Sequence, residues 1–220
     1  MINGIQFKVC GLTRARDAQA AAEAGADYLG FIFYPKSPRR IRLQRYRDIL
    51  PRLPDVPKVA VTVAPDLYTL AQLEGAGFDY FQIHFPIGLA EEVPAWSKLV
   101  GKDRLWLAPK IPPGVSLDAE LMGHANGFLW DAFKKDGSTY GGTGSQSDWQ
   151  AFKETRERYP EKQWILAGGI SPENAGEALS ATGANCLDFN SSLEIEPGLK
   201  DLERISQVRV SLKEATECRS

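Results

Sequence analysis

Short runs of β-branched and aromatic residues alternate with longer stretches whose apolar residues recur at helical spacing, and the alternation persists to the end of the chain. The apolar runs fall at 7–10, 28–33, 58–63, 80–84, 105–110, 127–131, 163–167 and 186–190. Between and after them lie helical stretches at 14–24, 43–50, 67–75, 89–99, 117–123, 147–159, 172–182 and 200–213. Runs such as "YLGFIF" and "VAVTV" are almost continuously apolar, as strands buried on both faces must be, and helical crossovers are the economical way to join parallel strands. Gly25 and Gly77 are placed to end helices in the left-handed conformation, while Asp66 and Ser171-Pro172 are placed to start them. Eight βα units in 220 residues, with no Pro/Gly/Ser-rich linker, predict an α/β fold: a single (β/α)8 TIM barrel spanning 1–220. The rival is an open doubly wound sheet. Against it, the turn after the first run, "CGLTRA", has no GxGxxG.

Charge and cysteine usage narrow the class. Lys and Arg number 26 against 28 Asp and Glu, so the total balance does not suggest a nucleic-acid partner. No uncharged apolar run approaches the roughly 18 residues of a spanning helix, and "MINGIQFKV" does not read as a signal peptide, which predicts a cytoplasmic protein without a membrane partner. Cys10, Cys186 and Cys218 are far apart and His84 and His124 lie in unrelated contexts, so neither a disulfide framework nor a metal site is expected.

A barrel of this kind carries its chemistry at the C-terminal strand ends. Cys10 closes the first run, and Lys8 shares its strand face, offering a cation that favours a thiolate. The plainer alternative for Cys10 is a small apolar residue filling the barrel. Asp131 closes the sixth run after "GFLW", where a carboxylate has no packing reason to be; a loop cap is the alternative. A thiol and a carboxyl on opposite sides of one pocket suit proton shuttling better than hydrolysis. Lys8, on the first run, and Gln82 and His84, at the end of the fourth, are candidate substrate contacts. Three stretches after runs six, seven and eight supply backbone N–H groups of the kind that cradle phosphate: Gly142, Thr143 and Gly144; Gly168 and Gly169; Asn190, Ser191 and Ser192. Between 34 and 52, Lys36, Arg39, Arg40, Arg42, Arg45, Arg47 and Arg52 face the single acid Asp48. Most read as solvated helix surface, but Arg39 and Arg40 lie in the loop, where a guanidinium is suited to gripping a carboxylate.

In order, and almost from end to end, "KVCGLTR", "GADYLGFIFYPKSPRRI", "FDYFQIH", "LWDAFKKDGSTYGGTGSQSDW", "LAGGISPENA" and "LDFNSSLEIEPGLKD" carry a signature. The chain resembles the phosphoribosylanthranilate isomerases of tryptophan biosynthesis. The resemblance implies an Amadori rearrangement of N-(5-phosphoribosyl)anthranilate to the carboxyphenylamino-deoxyribulose phosphate, with no metal or organic cofactor. It also implies that Cys10 is the general base, that Asp131 is the general acid, and that Arg39 meets the anthranilate carboxylate. The partner implied is a small-molecule substrate; monomer and homodimer both stay open. Two departures stand out. Phe85-Pro86 replaces the family's glycine after "QLH", which predicts a reshaped anthranilate end, and Ser192-Leu193-Glu194 replaces "GVE", which puts a side chain into the phosphate cradle. Two alternatives remain at this point: the histidine-pathway isomerase, which uses a carboxylate base, and a non-catalytic barrel that binds a sugar phosphate.

Overall fold

The computed structural model describes residues 1–112, 117–131 and 148–217. Eight parallel strands close in sequence order into a barrel: β1 (Gln6–Val9), β2 (Tyr28–Ile32), β3 (Lys58–Val63), β4 (Tyr80–Pro86), β5 (Leu105–Lys110), β6 (Gly127–Trp130), β7 (Gln163–Leu166) and β8 (Cys186–Phe189). Around it run α1 (Ala15–Ala24), α2 (Leu43–Ile49), α3 (Leu67–Glu74), α4 (Val93–Val100), α5 (Ala119–Met122), α6 (Trp149–Arg158), α7 (Ala175–Thr182) and α8 (Leu202–Glu217). The barrel closes where β8 returns to β1, with Asp188 in register with Lys8.

Side-chain parity assigns each strand residue to one of two layers. On β4, Phe81, Ile83 and Phe85 join the large cluster between barrel and helices, whereas Gln82 and His84 point into the barrel mouth. Deeper inside, Tyr28, Tyr80 and Trp106 pack together, Tyr80 stacked on Trp106 at 4.8 Å, and Cys186 is part of the same interior cluster. Gly127 makes this possible: a Cβ there would meet the Trp106 ring at 2.2 Å. The Tyr28 hydroxyl accepts hydrogen bonds from Gln6 and Gln163, so the barrel floor is closed by a satisfied polar ring rather than a pore.

The structure differs from the pattern-based elements where local chemistry intervenes. The stretch at 89–99 divides into a 3-10 segment, Ile87–Glu92, and α4, because Pro94 begins a helix but cannot continue one. Ser171-Pro172 does not start α7. Asn174 accepts from the Ser171 N–H and donates to the Gly169 carbonyl, both at 2.8 Å, and this closed turn delays the helix to Ala175. Gly77 is left-handed but lies beyond the end of α3, in the turn into β4. Gly25 and Asp66 cap α1 and α3 as their positions indicate. A short antiparallel hairpin, β9 (Glu194–Glu196) and β10 (Leu199–Lys200), occupies the start of the last predicted helix, and Asp201 then receives the Glu203 N–H to open α8. Among the described residues, no helix is long and apolar enough to cross a membrane.

Candidate active site

A cavity opens at the C-terminal mouth of the barrel. Cys10 and Asp131, from opposite sides of the strand circle, both line it, together with Gln82, His84, Asp188 and Asn190. The β7–α7 turn completes the rim through Gly168, Gly169 and Ile170. Gly168 and Gly169 have φ of +82° and +68°, a left-handed pair that leaves backbone rather than side chains at the cavity edge.

Cys10 is buried. Burial pushes its thiol above the ordinary value; Lys8 works in the opposite direction and Asp188 reinforces the rise. The cation expected from the sequence is therefore present but does not outweigh burial. Gly30 makes room for the pair, since a Cβ there would lie 3.0 Å from Cys10 Sγ and 3.0 Å from Lys8 Cε.

Lys8 does not line the cavity. It is fully buried and donates to Asp188 Oδ1 at 2.8 Å. Gln82 Nε2 lies 2.7 Å from His84 Nε2. An amide nitrogen only donates, so Nε2 accepts and the imidazole proton resides on Nδ1. Burial, with Lys8 adding, holds His84 at about 3, so the ring is neutral. Gln82 Oε1 is buried and has no partner among the described residues, which leaves an acceptor in the cavity wall.

Arg39 is buried and absent from the cavity wall, and it is not a free fork. Its Nε and Nη2 bind Glu194 at 2.9 and 2.8 Å. Arg40 lies outside, against the groove between the β2 and β3 loops. Ser191 lines the cavity, but Ser192 does not; its hydroxyl donates to the Ile170 carbonyl at 2.6 Å, tying the two glycine-rich rims together. Ser192 is not among the residues of positive φ, so its side chain brings no backbone strain. The segment after β8 is a single 3-10 turn, Ser191–Leu193. Phe85 corrects another expectation: it packs edge-on against Trp96 at 5.5 Å in the outer layer, away from the cavity. Gly142, Thr143, Gly144 and Cys218 lie outside the described residues.

Three buried groups escaped the sequence reading: Asp188, Glu194 and Lys200. The signal for Asp188 was strand parity, since it shares a face with Asn190 and pairs in register with Lys8 across the closing seam. For Glu194 and Lys200 there was none, because the hairpin that joins them replaces a predicted helix start. Among the described residues, no group of His, Cys, Asp and Glu is arranged to hold a metal.

The family profile described as "N-(5'phosphoribosyl)anthranilate (PRA) isomerase" matches residues 7–210. An N-(5'-phosphoribosyl)anthranilate isomerase of Zymomonas mobilis subsp. mobilis is 34% identical over 206 residues, 92% of this chain and 95% of that one. A phosphoribosyl anthranilate isomerase from Thermus thermophilus superposes with a TM-score of 0.78 at 30% identity, covering 96% of this chain and 99% of the other. A further phosphoribosyl anthranilate isomerase structure, in complex with reduced 1-(o-carboxyphenylamino)-1-deoxyribulose 5-phosphate, has a TM-score of 0.70 at 28% identity, covering 96% and 99%.

Proposed function

The chain belongs to the N-(5'-phosphoribosyl)anthranilate isomerase family, and on that premise we propose that Cys10 and Asp131 divide the reaction between them as base and acid. The reaction is the isomerisation of N-(5'-phosphoribosyl)anthranilate in tryptophan biosynthesis. Asp131 gives a proton to the furanose ring oxygen, the C–O bond breaks, and the anthranilate nitrogen lone pair forms the Schiff base. Cys10 then removes the proton from C2, and its electron pair moves into an enolamine, which neutralises the iminium nitrogen. Tautomerisation moves a proton from the C2 hydroxyl to C1 and yields the ketone. One proton given and one taken leave the composition of the substrate unchanged.

The observation that carries this division is the placement of Cys10 and Asp131 on opposite walls of one cavity. Burial favours the thiol over the thiolate. The positive iminium formed on ring opening is the change that eases loss of the C2 proton, while Lys8 supports the sulfur as it takes up charge. The phosphate is held by backbone N–H groups of Gly168, Gly169 and Ser191 with Asn190. Arg39 receives the ring carboxylate, and Gln82 and His84 face the sugar-to-anthranilate portion. The fluorescence of phosphoribosylanthranilate, followed with purified protein, tests the activity: decay well above the spontaneous rate is expected, and decay at the background rate refutes it.

A further inference from the structure

The Arg39 guanidinium is held by groups that the proton transfers do not use. Its Nε lies 3.0 and 2.9 Å from the two Glu194 carboxylate oxygens, and its Nη2 donates to Oε2 at 2.8 Å. Glu194 Oε1 accepts again from Lys200 Nζ at 3.0 Å and from the Gly198 N–H at 3.1 Å. The same ammonium donates to Asn190, to its carbonyl at 2.9 Å and its Oδ1 at 3.1 Å, and Asn190 lines the cavity. The side chains of Arg39, Glu194 and Lys200 are only 11%, 4% and 0% exposed.

Charge accounting makes this more than a strut. Two cations and one carboxylate lie together in a nearly dry volume, so the trio carries one positive charge in excess, at a place where an uncompensated charge is costly. Burial holds Lys200 below its ordinary value against the opposing pull of Glu194, with a smaller push from Arg39. Glu194 takes the Nε edge of the guanidinium, and Nη1 has no partner among the described residues. A planar fork fixed along one edge presents the other with little freedom left to lose on binding.

Resting on the assignment of Arg39 to the ring carboxylate, we infer that Glu194 and Lys200 are positioning residues for carboxylate recognition: Glu194 aims the free edge of Arg39, and Lys200 locks Glu194 to Asn190. A substrate carboxylate brings the cluster to two charges of each sign. The site therefore selects anthranilate-type substrates over those with an unsubstituted aniline ring. Because Lys200 holds Asn190 as well, the carboxylate and phosphate ends are set in one frame.

Calorimetric affinities for reduced 1-(o-carboxyphenylamino)-1-deoxyribulose 5-phosphate and for its counterpart lacking the ring carboxylate test the inference, in wild type, Arg39→Ala and Glu194→Gln. Glu194→Gln is expected to weaken the carboxylated ligand about tenfold and the other by less than about twofold. In turnover, KM rises while kcat is largely kept. Equal weakening of both ligands, or of neither, overturns the inference, since a merely structural role does not read the ligand's carboxylate. If Arg39→Ala retains the preference for the carboxylated ligand, the assignment of Arg39 falls, an outcome separate from failure of Glu194→Gln alone. Should Glu194→Gln not fold, Glu194→Asp keeps the charge but breaks the two-point grip, and its loss must again be confined to the carboxylated ligand.

Discussion

The Lys8 ammonium and the Asp188 carboxylate, 2.8 Å apart and in register across the seam that closes the barrel, form a buried ion pair beside Cys10. Burial disfavours the Lys8 charge, but Asp188 and Cys10 outweigh it and hold the ammonium firmly protonated. Lys8→Met leaves Asp188 buried without its cation, at a cost of about 3–5 kcal/mol. The same change removes the main group that opposes the upward push on Cys10, so the pH at which the thiol ionises rises further. Thermal melts and an ultraviolet thiolate titration, read against Cys10→Ser, check both. The double variant Lys8→Met/Asp188→Asn is expected to recover most of the stability and little of the rate.

Cys10→Ser and Asp131→Asn separate chemistry from binding. A serine hydroxyl at neutral pH is a far weaker base than even a partly ionised thiol, so kcat falls by about 10²- to 10⁴-fold or more, while the melting temperature holds. Asp131→Asn keeps the shape and loses the transferable proton; kcat collapses and affinity for the reduced product analogue changes little. A variant that lost affinity and kept its saturated rate would make Asp131 a binding residue.

How much of this was legible in the chain depends on the range of the interaction. The strands at 58–63 and 105–110 appear at the predicted bounds because continuous apolar runs report burial on both faces. Cys10 and Asp131 are legible as polar residues at strand ends, and both line the cavity. Phe85 was misplaced because the departure from glycine drew attention, whereas parity with Phe81 and Ile83 already assigned it to the helix side. The side chain that Ser192 is expected to bring into the phosphate cradle instead donates its hydroxyl proton to the Ile170 carbonyl, 22 positions away. Glu194 pairs with Arg39 across 155 positions of sequence. No local pattern announces such a contact; it exists only once the barrel has closed.

Phe85 offers a clean test of that misplacement. It packs on Trp96 and is fully buried in the layer between barrel and helices. Phe85→Leu removes an edge-to-face ring contact and some volume, a loss of about 1–2 kcal/mol in stability. KM for the folded enzyme is expected to stay unchanged. A change in substrate affinity without a change in melting temperature would return Phe85 to the pocket.

Gly30→Ala addresses the space around the base. The new Cβ would stand 3.0 Å from Cys10 Sγ and 3.1 Å from Cys10 Cα, and the backbone atom cannot swing aside. Overpacking of this kind costs about 1–3 kcal/mol. Turnover is expected to fall by more than the loss of folded protein explains, because the displaced atoms include the sulfur. Activity normalised to the folded fraction reads the difference.

His84 predicts how the fold responds to acid. The ring is neutral in the folded protein because burial, reinforced by Lys8, holds it at about 3 against an ordinary 6.5. Below the ordinary value the unfolded chain takes up a proton that the folded protein refuses. The unfolded state then binds more protons, and stability must fall as pH falls through the window from 6.5 toward about 3. Between about pH 7 and pH 5 this single group removes about 2 kcal/mol, at about 1.4 kcal/mol for each pH unit once the unfolded histidine is charged. Above the window the contribution vanishes, since both states are neutral. Denaturant titrations at the two pH values, for wild type and His84→Gln, measure it. The acid-side loss is expected to shrink by about that amount in the glutamine variant, whatever the variant does to stability at neutral pH. An unchanged pH dependence would mean that His84 accepts a proton in the folded protein, and the neutral Nδ1–H form hydrogen-bonded to Gln82 would have to be given up.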